Sequence, residues 1–461
     1  MSAHQRHLFG TDGIRARFGE APLDRHTVTS LALHLAATLR EQAAPREGDP
    51  PLVVLGGDTR ESTSEICRWL AEGLTTGGAR IQYAGVIPTP GIAWLTRELG
   101  AAAGAVVSAS HNPWPDNGIK LLDPRGFKWS EEAEAALERR LEGGSPAAEV
   151  PALAADLPAD ASLRERYLDR LASTVPGGRA LEGLKVVLDA GNGAASAYAG
   201  ELFERLGARV TRLHTAPTGR NVNEKCGSTE PGEMAARVVA EGADLGAAFD
   251  GDADRCILAD EKGEVKDGDA ILYLWATRLR ERGQLEPPRI VATTMSNLGL
   301  ERALAREGIG IERCGVGDRY VVETLLREQL ALGGEQSGHI VHLGLSNTGD
   351  GLLTALQIAR IVQESRQTAG RPLSELLAGF RRYPQILQNV RVTRKPDLAS
   401  LPRVAEAVRS VEERLGADGR LVLRYSGTEP LARVMIEGPD QPSIEAMAGE
   451  LAGAIREEIG A

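Results

Sequence analysis

Short apolar runs that end abruptly in glycine, serine, asparagine or aspartate alternate with amphipathic helical stretches through most of this chain, and that alternation leaves few folds open. Residues 52–55, 80–83, 105–107, 184–188, 242–249 and 289–293 have the length and composition of buried strands. Between them lie helical patterns over 27–42, where Leu31, Leu35 and Leu39 recur at four-residue spacing, and over 62–75, 90–99 and 130–141. Further helical patterns start at Ser162 and Asn297 and cover 269–282, 321–328 and 350–366. Strands alternating with helices predict βαβ units and parallel pairing. From residue 371 the order changes: helices over 401–415 and 442–459 surround strands over 420–424 and 433–437, an α+β arrangement.

At 461 residues the chain is too long for one ordinary core. An Ala/Pro-rich run after Gly143-Gly144-Ser145-Pro146 and a break at Gly370-Arg371-Pro372 punctuate it. The reading is four domains, 1–158, 159–256, 257–370 and 371–461. Net charge is −11, which gives no support to a nucleic-acid partner. No apolar run approaches the roughly 18 residues of a membrane span, and the polar N-terminus carries no signal peptide, so a cytoplasmic protein is expected. Cys67, Cys226, Cys256 and Cys314 are scattered without metal-binding spacing, which argues against a zinc site and against disulfides.

Five loops carry the candidate chemistry. Val107 runs into Ser108-Ala109-Ser110-His111-Asn112-Pro113, which places Ser110 and His111 at the carboxyl end of a strand, where open α/β sheets bind ligands. Alone, this is a polar turn or a nucleophile. Lys120 follows, one of only seven lysines. Asp250, Asp252 and Asp254 alternate in a glycine-containing loop after an apolar strand, so three carboxylates can converge on one hard cation, with Arg255 beside them to offset charge or hold a phosphate. Magnesium suits so small a ligand set if a phosphate completes it. Glu335, Ser337 and His339 alternate in Gly-Glu-Gln-Ser-Gly-His; in an extended loop all three would face one side, a set able to grip hydroxyls or an amine. Arg424-Tyr425-Ser426-Gly427-Thr428 is a donor-rich turn suited to a phosphate. Of the eight histidines, only His111 and His339 sit in such contexts.

Together with the N-terminal Phe9-Gly10-Thr11-Asp12-Gly13-Ile14-Arg15, these loops resemble, in order and approximate spacing, the five signature loops of the α-D-phosphohexomutase superfamily. The likeness covers essentially the whole chain. Gly334–His339, Thr348–Leu353 and Tyr383-Pro384-Gln385 bring it nearest the branch acting on glucosamine phosphates. The resemblance implies three similar α/β domains with mixed sheets plus a C-terminal α+β domain, heart-shaped around a central cleft. It implies Ser110 as phosphoserine, and Asp250, Asp252 and Asp254, with that phosphate, as Mg²⁺ ligands. Glu335, Ser337 and His339 become the sugar loop, and Arg424, Ser426, Gly427 and Thr428 the phosphate loop. Arg15, His111, Lys120 and Arg255 fall near the reacting group, with Lys120 and His111 both open as proton donor or acceptor.

The implied reaction interconverts glucosamine 6-phosphate and glucosamine 1-phosphate through a glucosamine 1,6-bisphosphate, a step toward UDP-N-acetylglucosamine. Glucose or mannose phosphates are the alternative substrates. A phosphatase with Asp250 as nucleophile would leave Arg255 and the serine loop without a role. The sequence does not fix oligomeric state; a homodimer is the commonest arrangement among soluble oligomers. Ala16 stands where the family usually has glycine, so strain is expected there if φ is positive.

Overall fold

A computed structural model of the chain describes residues 8–10, 12–42, 49–143, 150–426 and 430–460. They form two compact units, 1–295 with 311–377, and 296–310 with 378–461. The first unit begins with β1 (Ile14–Arg17), α1 (Arg25–Gln42), β2 (Leu52–Gly57), α2 (Thr63–Thr76), β3 (Arg80–Val86), α3 (Thr89–Glu98), β4 (Ala103–Val107), β5 (Asp116–Leu122) and α4 (Glu131–Glu142). The sheet order is β1-β5-β4-β2-β3. Strands β2, β3 and β4 run parallel, while β5 is antiparallel to both β4 and β1. All five residues of β4 are buried, the continuous apolar run expected of a strand covered on both faces. Leu31, Leu35 and Leu39 of α1 point into the same core, as their spacing predicts.

A second sheet repeats the plan. It follows α5 (Ala161–Ser173) with β6 (Lys185–Asp189), α6 (Ala199–Arg205), β7 (Arg209–Leu213), α7 (Gly232–Glu241), β8 (Leu245–Phe249), β9 (Cys256–Asp260) and β10 (Val265–Lys266), in the order β10-β9-β8-β6-β7. Again the strands nearest the middle are parallel and the later ones, β9 and β10, antiparallel. The chain continues through α8 (Gly268–Glu281), β11 (Arg289–Thr293), α9 (Leu298–Arg306), β12 (Gly310–Cys314), α10 (Asp318–Glu328), β13 (Leu332–Gly334), β14 (Ile340–His342), α11 (Gly351–Ala369) and α12 (Leu373–Leu376). The third sheet is ordered β12-β11-β13-β14. Asp350 caps α11 by accepting the Leu353 amide, and Gly370 ends it in the left-handed conformation.

The second unit is α+β. Strands β15 (Gln385–Arg391), β16 (Arg420–Tyr425) and β17 (Leu431–Glu437) form an antiparallel sheet with β17 central. Helices α13 (Pro402–Leu415) and α14 (Gln441–Ile459) bury Val404, Val411, Leu451 and Ile455 against Val434 and Ile436. Helix α9 belongs here. Asn297 caps it through the Gly299 amide and donates to the Tyr383 carbonyl at 3.1 Å and to Glu437 at 3.2 Å.

The sheets are mixed, as the resemblance implied, where strand–helix alternation alone predicted parallel pairing: β1, β5, β9, β10 and β14 enter antiparallel. Asp116, Asn117 and Gly118 interrupt any apolar pattern, yet pairing with β1 and β4 makes residues 116–122 a strand. Ala16 sits in the β1 ladder opposite Asn117 and has no positive φ, so the strain anticipated there is absent. Among the described residues no helix is long and apolar enough to cross a membrane.

Candidate active site

Ser110 follows β4 and is held in the left-handed region at φ 53°. A non-glycine residue there is strained and persists only where its surroundings determine it. Arg60 supplies much of that determination. Its buried guanidinium pairs with Asp58 at 2.9 Å and donates to the carbonyls of Ser110 and Asn112 at 2.8 Å, Asp116 at 3.0 Å and Pro113 at 2.6 Å. Asp58 in turn accepts the Ser108 hydroxyl at 2.6 Å, and Ser108 accepts the Ser110 amide at 2.9 Å. From the loop after β7, Asn223 donates to the Ser110 carbonyl at 2.8 Å. Asp58, Arg60 and Asn223 escaped the sequence reading. Only Gly57-Asp58-Thr59-Arg60 at the end of a buried strand, the same position in its βα unit as the serine loop in its own, hinted at the first two.

The Ser110 hydroxyl donates to Asp250 at 2.5 Å. Asp250 follows β8, so the carboxyl end of one sheet faces that of its neighbour. The backbones touch: a Cβ on Gly251 would lie 2.5 Å from the Ser110 carbonyl oxygen, so only glycine fits. Oxygens of Asp250, Asp252 and Asp254 lie within 4.8 Å of one another, all buried. Burial, then Asp254 and Asp252, push the Asp250 carboxyl well above the usual carboxylate range. Burial also opposes ionisation of Asp252, but Lys120 at 3.0 Å and the Thr89 hydroxyl at 2.6 Å outweigh it and hold its carboxyl below that range. One oxygen of Asp252 and one of Asp254 are buried without a hydrogen bond. Three converging buried carboxylates with unused oxygens fit a hard divalent cation such as Mg²⁺.

Lys120 lies on β5, 2% exposed, with its ammonium 3.5 Å from Asp254 and 3.6 Å from Asp12. Burial alone would discharge it, but Asp12, Asp252 and Asp254 outweigh that and hold it firmly cationic. His111 is turned the other way. Burial, then the Arg255 and Arg15 charges, lower its pKa and favour the neutral ring, whose Nδ1 lies 3.4 Å from the Ser110 hydroxyl. Arg15 on β1 donates to the Ala109 carbonyl at 2.5 Å and pairs with Asp12.

Arg15, His111, Asp254, Arg255, Glu335 and His339 line one pocket of about 640 Å³, together with Asp12, Gly317 and Asp318. The 335–339 segment is a tight hairpin turn between β13 and β14, not an extended loop, so alternation does not aim its side chains together. Glu335 and His339 reach the pocket, while the Ser337 hydroxyl bonds Glu335 at 3.2 Å. Gly338 is at φ 92°, and a Cβ there would lie 2.3 Å from the Cys256 carbonyl oxygen. Lys128 bridges Asp12 and Asp318, and Asp318 lies 3.9 Å from His339. Of these, Asp12 stands in the N-terminal signature loop, while Lys128 and Asp318 gave no signal in sequence. In the second unit, Arg424 is exposed near the end of β16, and Ser426 is buried with its carbonyl accepting Lys395 at 2.6 Å. Gly427 and Thr428 lie outside the described residues.

Two mixed sheets bring a strained serine, a buried aspartate trio and basic groups together at the carboxyl ends of their parallel strands, an arrangement chemically suited to phosphoryl transfer. Models of phosphoglucomutase/phosphomannomutase domains match in order: α/β/α domain I over residues 6–147, domain II over 165–263, domain III over 267–383 and the C-terminal domain over 387–454. The chain belongs to the phosphoglucomutase/phosphomannomutase family and is an isomerase of the phosphohexomutase kind. Within it, the chain is similar to the phosphoglucosamine mutase of Koribacter versatilis, 45% identical over 470 residues, covering 100% of this chain and 99% of the relative. The phosphoglucosamine mutase of Myxococcus xanthus is 44% identical, covering 98% of this chain and 97% of its own. Among solved structures, a phosphoglucomutase/phosphomannomutase family protein from Burkholderia thailandensis shares the fold with a TM-score of 0.77 at 23% identity, covering 98% of this chain and 97% of that one. So does Aspergillus fumigatus N-acetylphosphoglucosamine mutase, solved in complex with GlcNAc-6P and magnesium, with a TM-score of 0.64 at 18% identity, covering 99% and 96%.

Proposed function

We propose that the protein is a phosphoglucosamine mutase, interconverting glucosamine 6-phosphate and glucosamine 1-phosphate with Ser110 as the phosphoryl carrier. The observation that carries it is the Ser110 hydroxyl seated 2.5 Å from Asp250 within the buried aspartate trio. Relatives of that name at 45% identity support the choice of substrate. So does the pocket, where Asp318 and Glu335 offer two carboxylates to the ammonium that distinguishes glucosamine from glucose or mannose.

In the cycle, the bond between phosphorus and the Ser110 oxygen breaks as one forms to a free hydroxyl of the sugar phosphate. The hydroxyl proton passes to a base, and the Ser110 oxygen takes a proton in turn. His111, whose ring nitrogen lies 3.4 Å from the Ser110 hydroxyl, and Lys120 are the two candidates for these proton transfers. Glucosamine 1,6-bisphosphate then reorients and returns its other phosphoryl group to Ser110. Asp250, Asp252 and Asp254, with the serine phosphate, would hold Mg²⁺, which when bound would supply charge stabilisation to the phosphoryl group. Arg15 and Arg255 orient the reacting phosphate, Glu335, Ser337 and His339 hold the sugar, and Arg424, Ser426, Gly427 and Thr428 grip the distal phosphate. The four cysteines are buried and free, which fits a reducing cytoplasm.

Purified protein assayed on the 6-phosphates of glucosamine, glucose and mannose, with catalytic bisphosphate, is expected to prefer glucosamine. Asp318→Asn should narrow that preference by roughly tenfold or more, the worth of about 1.4 kcal/mol. Equal turnover of all three sugars by wild type would reject the substrate assignment, and full activity in Ser110→Ala would reject the carrier.

A further inference from the structure

Away from this pocket, the second sheet gathers three different metal-ligating side chains at one edge. Asp189 ends β6, His214 follows its parallel neighbour β7, and Cys226 lies on the returning loop just before the Gly227–Thr229 turn. One ligand atom from each lies within 4.8 Å of the others. Asp189 and Cys226 are fully buried. Spacing along the chain concealed this, because Asp189 ends a strand one helix and one strand before His214, and His214 and Cys226 stand at opposite ends of one loop.

Each side chain is oriented for ligation. The two oxygens of Asp189 accept the amides of Gly191 at 2.9 Å and Gly227 at 3.0 Å, which fixes the carboxylate while leaving each oxygen a further lone pair. His214 Nδ1 is buried, lies 3.0 Å from Asp189 and makes no hydrogen bond. Its other nitrogen, Nε2, lies 3.4 Å from Glu233 in the first turn of α7. A carboxylate on the far nitrogen of a ligating histidine is the usual outer partner at protein metal sites, fixing the tautomer that presents the other nitrogen's lone pair. The Cys226 sulfur has a distant amide, Asn192 at 3.9 Å, beside it.

We propose that Asp189, His214 and Cys226 form a second metal site, for zinc or a similar borderline divalent ion, distinct from the aspartate trio. Sulfur and imidazole donors select such an ion over magnesium. Binding exchanges the thiol proton of Cys226 for the metal and releases that proton to solvent. The partly exposed face of His214 leaves a coordination position for water. The site ties the 215–226 loop to the ends of β6 and β7. That loop carries Asn223, which holds the Ser110 carbonyl, so the metal would stiffen the carrier loop. This consequence rests on Ser110 as the carrier; metal binding itself does not.

The test measures metal, not turnover. Full-length protein stripped with EDTA and dialysed against Zn²⁺ in a large excess of Mg²⁺ is expected to retain a single zinc per chain by elemental analysis. Co²⁺ in its place should give the near-ultraviolet sulfur-to-cobalt charge-transfer band of a thiolate ligand, a readout on wild type that needs no variant. Cys226→Ser should abolish that band, and Glu233→Gln should weaken zinc by about ten- to hundredfold. Asp250→Asn should keep the zinc. The site is overturned if wild type retains no zinc, if the cobalt band is missing or survives in Cys226→Ser, or if Asp250→Asn releases the zinc.

Discussion

At the scale of single residues, the centre works by conflict. Asp250 is kept close to two other buried carboxylates, and burial first, then their repulsion, raises its pKa, a cost the metal-free fold carries. For an acid whose folded pKa lies above its unfolded value, stability is full at low pH and falls as pH rises through the folded pKa. At neutral pH the metal-free protein therefore carries this penalty. Asp250→Asn removes it, and thermal unfolding in EDTA should show the variant above wild type, by about 2–4 °C for each kcal/mol relieved. Added Mg²⁺ should raise wild type and leave the variant nearly unmoved, while activity is lost. A variant less stable than wild type in EDTA would mean the three charges are not in conflict. Ser110 is strained in the same sense: its left-handed backbone is uphill by itself and is held by neighbours.

Those neighbours act at the scale of elements. Arg60, just after β2, fastens the loop after β4 through four carbonyls, and Asp58 balances its charge. Arg60→Met strands a buried Asp58 charge, and denaturant unfolding should show a loss of about 3–5 kcal/mol, the usual penalty for halving a buried pair. An effect below 1 kcal/mol would show that water reaches the loop and replaces the guanidinium. Asp350 joins elements differently. It caps α11 and accepts the Tyr167 hydroxyl of α5 at 2.9 Å, yet burial pushes its carboxyl up to about 6. Its ionisation therefore opposes folding above that pH and is silent near the unfolded value of about 4. Asp350→Asn keeps the cap, so its stability relative to wild type should improve by about 2–3 kcal/mol between roughly pH 4 and pH 7. A difference that stays flat with pH would show that Asp350 is not the titrating group.

For the whole molecule, the unit containing the last strands is not built from the C-terminal segment alone. Residues 296–310 fold with 378–461, and Asn297 bonds both Tyr383 and Glu437 within that unit. Asn297→Ala removes a helix cap and leaves a carbonyl and a buried carboxylate short of a donor, so it should destabilise this unit by about 1–3 kcal/mol. Hydrogen exchange should report lost protection in β15 and β17 before any in β4. Uniform loss across the chain would show a single cooperative molecule instead.

The sequence by itself determined which segments become helices and central strands, because apolar spacing is a local property: Leu31, Leu35 and Leu39, and the run into Val107, are buried as read. It also marked Ser110 and the three aspartates, since carboxylates and hydroxyls packed at a strand end are chemically conspicuous. Only the tertiary structure made a strand of residues 116–122, where Lys120 is charged because three carboxylates from distant loops surround it. It alone brought Asp318 to the pocket, with Lys128 bridging it to Asp12, and Asp189, His214 and Cys226 to one edge. Each such residue owes its role to neighbours far away in sequence, and a charge or ligand set shared across a sheet edge leaves no periodicity in the chain.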